Sequence, residues 1–189
     1  MPAARILPKL SIKAGWLEGV RQVPTPRFGP RPNPIDISLI VLHGISLPPG
    51  QYGGPYIDQI FLGTLDKEAH PYFAQVADLE VSTHVLIRRD GAITQYVSFL
   101  DRAWHAGRSN FHGRAECNDF GVGIELEGTD HEPYTDAQYL ALREVIAALT
   151  CEYPAIGCNI AAHSAVAPLR KTDPGPAFEW GRIADFLPG

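Results

Sequence analysis

Cysteine is scarce in this 189-residue chain. There are three, Cys117, Cys151 and Cys158, with no CxxC spacing and an odd total. That pattern argues against a closed disulfide framework and fits a reducing compartment. Long apolar runs are missing as well: no stretch approaches the ~20 residues of a membrane span. The start, Met1 to Lys13, carries positive charge but no continuous apolar run follows it, so no signal peptide is expected. These absences together make a cytoplasmic protein the expectation. Basic residues are outnumbered, 16 Lys and Arg against 21 Asp and Glu, for a net charge of −5. Such a balance argues against a general nucleic-acid or anionic-membrane binder. Several catalytic signatures are also absent. There is no G-x-S-x-G elbow, no H-E-x-x-H helix and no P-loop, and Gly121-Val122-Gly123 lacks the third glycine of a dinucleotide fingerprint. The deaminase pattern of H-x-E with P-C-x-x-C is missing too.

The length suits one domain with a substantial core, and 45% hydrophobic with 20% charged residues is ordinary for a globular chain. Residues 1–35 hold seven prolines and little periodicity. They read as an extended arm packed on a domain of residues 36–189, with Trp16, Leu17 and Phe28 as anchors. Ile37 to His43 is nearly continuous in apolar, branched residues, which predicts a central strand covered on both faces. The glycine- and proline-rich Gly44 to Pro55 behind it is a long loop at a strand's carboxyl end, a common place for a site in an α/β sheet. A short helix is expected over Tyr56 to Leu62. Val85 to Val97, with Asp90-Gly91 at its middle, reads as a β-hairpin, and Ala103 to Asn110 as loop. Phe120 to Glu127 alternates: Val122, Ile124 and Leu126 on one face, Gly123, Glu125 and Glu127 on the other. Thr135 to Gln138 is a capping-box signature. It opens a helix with Tyr139, Leu142, Ile146 and Leu149 in one stripe that ends before Pro154. A short strand over Ile160 to His163 and a last helix over Ala177 to Phe186 complete the pattern.

Seven histidines and many carboxylates are available for chemistry. His43 is the best placed, a polar residue ending a buried strand; the plainer alternative is a hydrogen-bonded histidine at a sheet edge. His163 and Asp173 offer a nitrogen and an oxygen on a short loop-like segment that Pro168 and Pro174 constrain. Two imidazoles and a carboxylate would leave a tetrahedral zinc one open position, as catalytic zinc requires. Glu125 sits within an otherwise apolar strand, which is costly unless the carboxylate is used or paired. Near a metal-bound water it could move a proton, or it could simply face solvent together with Glu127. Lys171, two residues before Asp173, could stabilise an oxyanion or lie solvated beside Arg170.

Taken together these segments resemble one family. They are Gly15-Trp16-Leu17, His43 to Gly50, Leu86 to Gly91, Ala103-Trp104-His105-Ala106-Gly107, Cys117 to Phe120, Gly123 to Asp130 and Lys171 to Gly175. In this order they are similar to the zinc-dependent N-acetylmuramoyl-L-alanine amidases of the AmpD type, relatives of the peptidoglycan recognition proteins. The resemblance implies an α/β (α+β) fold, a single domain with a mixed β-sheet flanked by helices. It implies one Zn2+ held by His43, His163 and Asp173, with Glu125 as acid/base and Lys171 as oxyanion stabiliser. Trp104 and His105 would be groove residues that meet the substrate. It further implies a monomeric cytoplasmic enzyme that cuts the bond between (1,6-anhydro-)N-acetylmuramic acid and L-alanine in recycled muropeptides. Two other functions stay open: a muropeptide-binding module without catalysis, and an amidase acting on intact cell wall. The chain departs from the family where Gly44 replaces a common Asn, and where Ser164-Ala165-Val166-Ala167-Pro168 replaces a common Cys-Asp-Ile-Ala-Pro.

Overall fold

Five consecutive residues, Leu39 to His43, are buried, and the sheet is built about them. The computed structural model describes residues 10–187; the first stretch of the arm, residues 1–9, and residues 188–189 lie outside the described residues. Six strands form the main sheet: β1 (Arg21–Gln22), β2 (Leu39–Ile45), β3 (Val85–Ile87), β4 (Ile93–Gln95), β5 (Gly121–Glu127) and β6 (Ile160–Ala162). Their order is β6-β2-β5-β3-β4-β1. The β3–β4 pair is antiparallel and the rest are parallel, so the sheet is mixed. Strand β2 begins two residues later than its apolar run because the Ile37 N–H and the Ser38 hydroxyl turn back to Ile35 and Asp36.

Four α-helical segments accompany the sheet: α1 (Tyr56–Leu62), α2 (Phe73–Val76), α3 (Asp136–Glu152) and α4 (His163–Val166). Strand alternation divides the core. Ile40 and Leu42 of β2 and Val122, Ile124 and Leu126 of β5 meet Tyr139, Leu142, Ile146 and Leu149 of α3. Burying each such side chain contributes about 1.5–3 kcal/mol. The opposite face carries Leu39 and Val41 against Phe120 and Val166, while Leu86 of β3 packs with Ile57, Phe61 and Phe73 of α1 and α2. Both halves of the capping box form at α3: Gln138 N–H donates to Thr135 Oγ1 and Thr135 N–H to Gln138 Oε1, each at 3.1 Å. Gln138 Nε2 also donates to the Glu127 carbonyl at 2.9 Å, which ties the helix to the end of β5. Among the described residues no helix is long and apolar enough to cross a membrane.

The arm from Leu10 onward supplies β1 at the sheet edge, and Phe28–Pro30 pairs antiparallel with Asp101–Ala103. Leu17 is fully buried, Trp16 is half-buried and Phe28 is exposed. A buried cation holds the arm's end: Arg31 donates to the carbonyls of Phe99, Asn118, Asp119 and Gly121.

Three local expectations need correction. The hairpin still pairs Arg88 N–H with the Ala92 carbonyl at 2.9 Å, so its loop is residues 89–91, one longer than a two-residue Asp-Gly turn; the Arg88 guanidinium and the Arg89 N–H are both drawn to Glu127. His163 does not lie in a loop but opens α4, with the Ala167 N–H donating to its carbonyl. The last helix is a 3-10 segment, Trp180–Phe186, kinked at Ile183. Its approach is set by Glu179, whose N–H donates to Tyr139 Oη.

One buried histidine makes the fold sensitive to acid. His84 Nδ1 accepts the Gly123 N–H at 3.0 Å, where a further strand residue would otherwise pair, and its Nε2–H donates to the Asp101 carbonyl at 3.1 Å. Burial, aided by the Arg31 charge, pushes it down to about 3. The neutral ring's contribution is therefore complete above an unfolded value of ~6.5 and is lost as pH falls toward 3. At pH 4.5 that amounts to roughly 2–3 kcal/mol. Denaturant midpoints at pH 7 and 4.5, with chelator present, should show wild type losing that much more than His84→Asn, whose amide oxygen accepts the same N–H without titrating. Equal losses would sink the assignment.

Candidate metal centre

The register of three parallel strands gathers the site. His43 is opposite Glu125 on β5, and Ala162 of β6 is opposite Leu42, so His163 emerges beside His43. Both His43 and Glu125 lie on the face away from α3, near the strands' carboxyl ends, where open α/β sheets bind ligands. The chain then returns Asp173: its carbonyl accepts the Ser164 N–H at 3.0 Å, closing the segment on itself. His43 Nδ1 and His163 Nδ1 stand 2.9 Å apart, and Asp173 Oδ2 is 3.0 Å from the second and 3.4 Å from the first.

These atoms suit a cation better than they suit each other. The outer nitrogen of His163, Nε2, is 3.2 Å from the Ala106 carbonyl, which can only accept, so Nε2 carries the proton. In the neutral ring Nδ1 is then a lone pair aimed at a carboxylate oxygen, 3.0 Å away. Burial, partly opposed by Asp173, pushes His43 down to about 4, so a proton does not fill the gap near neutrality. Burial would raise Asp173, but the closeness of His163 and His43 outweighs it and holds the carboxyl well below its usual range. Two imidazoles and a carboxylate, all with ligand atoms within 4.8 Å of one another, form a metal-holding set.

Glu125 Oε1 is 4.0 Å from His43 Nδ1, beside the ligand set rather than in it. Its other oxygen, Oε2, is buried without a partner. Burial raises this carboxyl well above its ordinary value, Asp173's charge adds to that, and Lys171 opposes it. The site floors a groove of about 600 Å³. Leu47, Ile60, Phe61 and Val76 give it an apolar side, while Thr129, Asp130 and exposed Lys171 give it a polar one. Trp104 is half-buried in its wall, its N–H held by Ser82 Oγ at 2.9 Å. His105 reaches the groove only as part of its floor. The ring is buried, with Nδ1 3.0 Å from His43 Nε2, and burial holds it well below its ordinary value.

The solvent-facing reading of Glu127 does not survive. It is 1% exposed and accepts from Gly53 N–H, Arg88 Nη1 and Arg89 N–H, pinning the loop behind β2 to the hairpin. Two supporting residues had no clear sequence signal. Asn118 Oδ1 accepts the N–H groups of both His105 and Ala106. Tyr134 Oη donates to the Pro174 carbonyl at 2.9 Å and stands 2.5 Å from where a Cβ on Gly44 would be. A glycine at 44 therefore makes room for a hydroxyl that braces the Asp173 turn.

The family model described as N-acetylmuramoyl-L-alanine amidase matches residues 32–176. The 1,6-anhydro-N-acetylmuramyl-L-alanine amidase AmpD of Salmonella typhimurium strain SL1344 is 59% identical over 169 residues, covering 89% of this chain and 90% of that one. AmpD of Escherichia coli K12 is 57% identical over 172 residues, covering 91% and 94%. A crystal structure of a selenomethionine AmpD derivative superposes with a TM-score of 0.91 at 56% identity, covering 94% of this chain and 99% of the other. This chain belongs to the N-acetylmuramoyl-L-alanine amidase family.

Proposed function

We propose that this protein is a cytoplasmic zinc amidase that hydrolyses the bond between 1,6-anhydro-N-acetylmuramic acid and L-alanine in soluble muropeptides. The observation that carries it is the convergence of His43, His163 and Asp173 beside a buried Glu125, one of whose oxygens has no partner, in a groove. The substrate class follows from relatives at 57–59% identity that span nearly the whole chain. Zinc fits the donor set: two imidazoles and one carboxylate, with one tetrahedral position open.

When bound, the ion supplies Lewis acidity toward a carbonyl and lowers the pKa of water. Glu125 takes a proton from the water that adds to the scissile carbonyl carbon. Lys171, on the groove's polar side, faces the negative charge that develops on the carbonyl oxygen. As the carbon–nitrogen bond breaks, Glu125 returns the proton to the departing L-alanine amine, leaving a carboxylic acid on the lactyl group that ionises by giving up the water's second proton to the freed amine. A half-buried Trp104 offers a flat surface to the sugar.

Incubation with soluble anhydro-muropeptide and, separately, with intact sacculi tests the reading. Rapid release of the L-alanine peptide from the soluble substrate is expected, with sacculi cut far more slowly. Comparable rates on both would overturn the soluble specificity. Tight binding without any cleavage would overturn the enzyme assignment. Elemental analysis of the purified protein should give close to one zinc per chain.

A further inference from the structure

We infer that His105 is a positioning residue for the metal centre, the acceptor that fixes His43 in its ligating tautomer, with Gly123 as the seat that admits its ring. The inference rests on the proposed metal site. With a cation on His43 Nδ1, that atom holds no proton and the ring's proton sits on Nε2. The acceptor in reach is His105 Nδ1, 3.0 Å away. Histidine ligands are commonly oriented in this way through their second nitrogen.

The adjacent residue does the same for the other histidine. Ala106 offers its carbonyl to His163 Nε2 at 3.2 Å. One dipeptide thus supports both imidazole ligands. Asn118 clamps that dipeptide, accepting from His105 N–H at 3.1 Å and Ala106 N–H at 2.8 Å. The face of β5 beneath is pared down to receive it. A Cβ at Gly123 would come within 2.4 Å of His105 Cγ and 2.8 Å of its Nδ1. His105 Nε2 finds no partner in its burial. That orphaned atom marks a ring placed for what its other nitrogen does, since packing alone would favour an apolar side chain.

The test compares His105→Phe, which keeps a ring without an acceptor, with His105→Asn, whose Oδ1 falls close to the position of Nδ1. Zinc affinity is read by competition with a chromophoric chelator on metal-stripped protein, alongside the melting temperature of the metal-free form. His105→Phe should bind zinc about 10–100-fold more weakly, with metal-free melting near wild type, and His105→Asn should recover most of the affinity. If His105→Phe does not fold, His105→Leu takes its place in the comparison. Wild-type affinity in the acceptor-less variant would overturn the inference, as would an Asn variant no better than it. Failure of the wild-type protein to bind zinc would instead overturn the metal site itself.

Discussion

Replacing Glu125 by glutamine is expected to cut turnover by about 10²–10⁴-fold while zinc content stays at the wild-type level. The expectation follows from where β5 puts the carboxylate. It lies opposite His43 in the register, its side chain only 12% exposed, 4.0 Å from a ligand nitrogen and so outside the ligand set. Burial first, and then the charge of Asp173, raises it. Carboxyls raised by their surroundings can take and return a proton near neutrality, as base and then acid. Glutamine has nearly the same shape and cannot hold that proton. Loss of folding would not explain the result. The folded value lies above the unfolded one, so ionisation costs stability as pH rises past the ordinary carboxyl range, and the uncharged amide removes that cost. Metal-free Glu125→Gln should therefore melt no lower than wild type at pH 8. Full turnover in a zinc-replete Glu125→Gln protein would remove Glu125 from the mechanism.

The parts of this site that sequence could show share one property: a polar residue where local pattern demands an apolar one. His43 ends a run of four buried aliphatics, and Glu125 sits within an otherwise apolar, buried strand. The central strand, the α3 stripe and the capping box were equally visible, because each is set by residues within a few positions of one another. What sequence hid depends on contacts between distant segments. Tyr134 and Gly44 are 90 residues apart, and only the folded chain brings the hydroxyl into the space a side chain at 44 would fill. Glu127 looked like half of an acidic surface. Its burial is settled by Gly53 from one loop and Arg88 from another. His105 read as a groove residue since its neighbour Trp104 is one. Alternate residues of an extended segment point opposite ways, and here Trp104 takes the wall and His105 the floor.

Stripping zinc, or replacing His163 by alanine, should abolish turnover and remove a thermal stabilisation of several degrees. An ion that binds the folded chain alone stabilises it by about 2.7 kcal/mol at a free concentration 100 times its Kd. For a chain of this size each kcal/mol moves the melting temperature by about 2–4 °C, so zinc added at that excess should raise wild-type melting by roughly 5–10 °C. His163→Ala leaves His43 and Asp173 without their third partner, and the shift should vanish with the metal. The metal-free baseline is read separately, because removing the buried His163 ring leaves a cavity with its own cost. His163 gives up a single 3.2 Å hydrogen bond to the Ala106 carbonyl, which Arg170 Nη2 still satisfies at 2.5 Å. Near-stoichiometric zinc or an undiminished shift in His163→Ala would mean that the ion sits elsewhere. A low-melting metal-free variant with normal zinc uptake would make His163 a packing residue. Loss of both zinc and its thermal shift from an otherwise stable protein is the result that only a ligand produces.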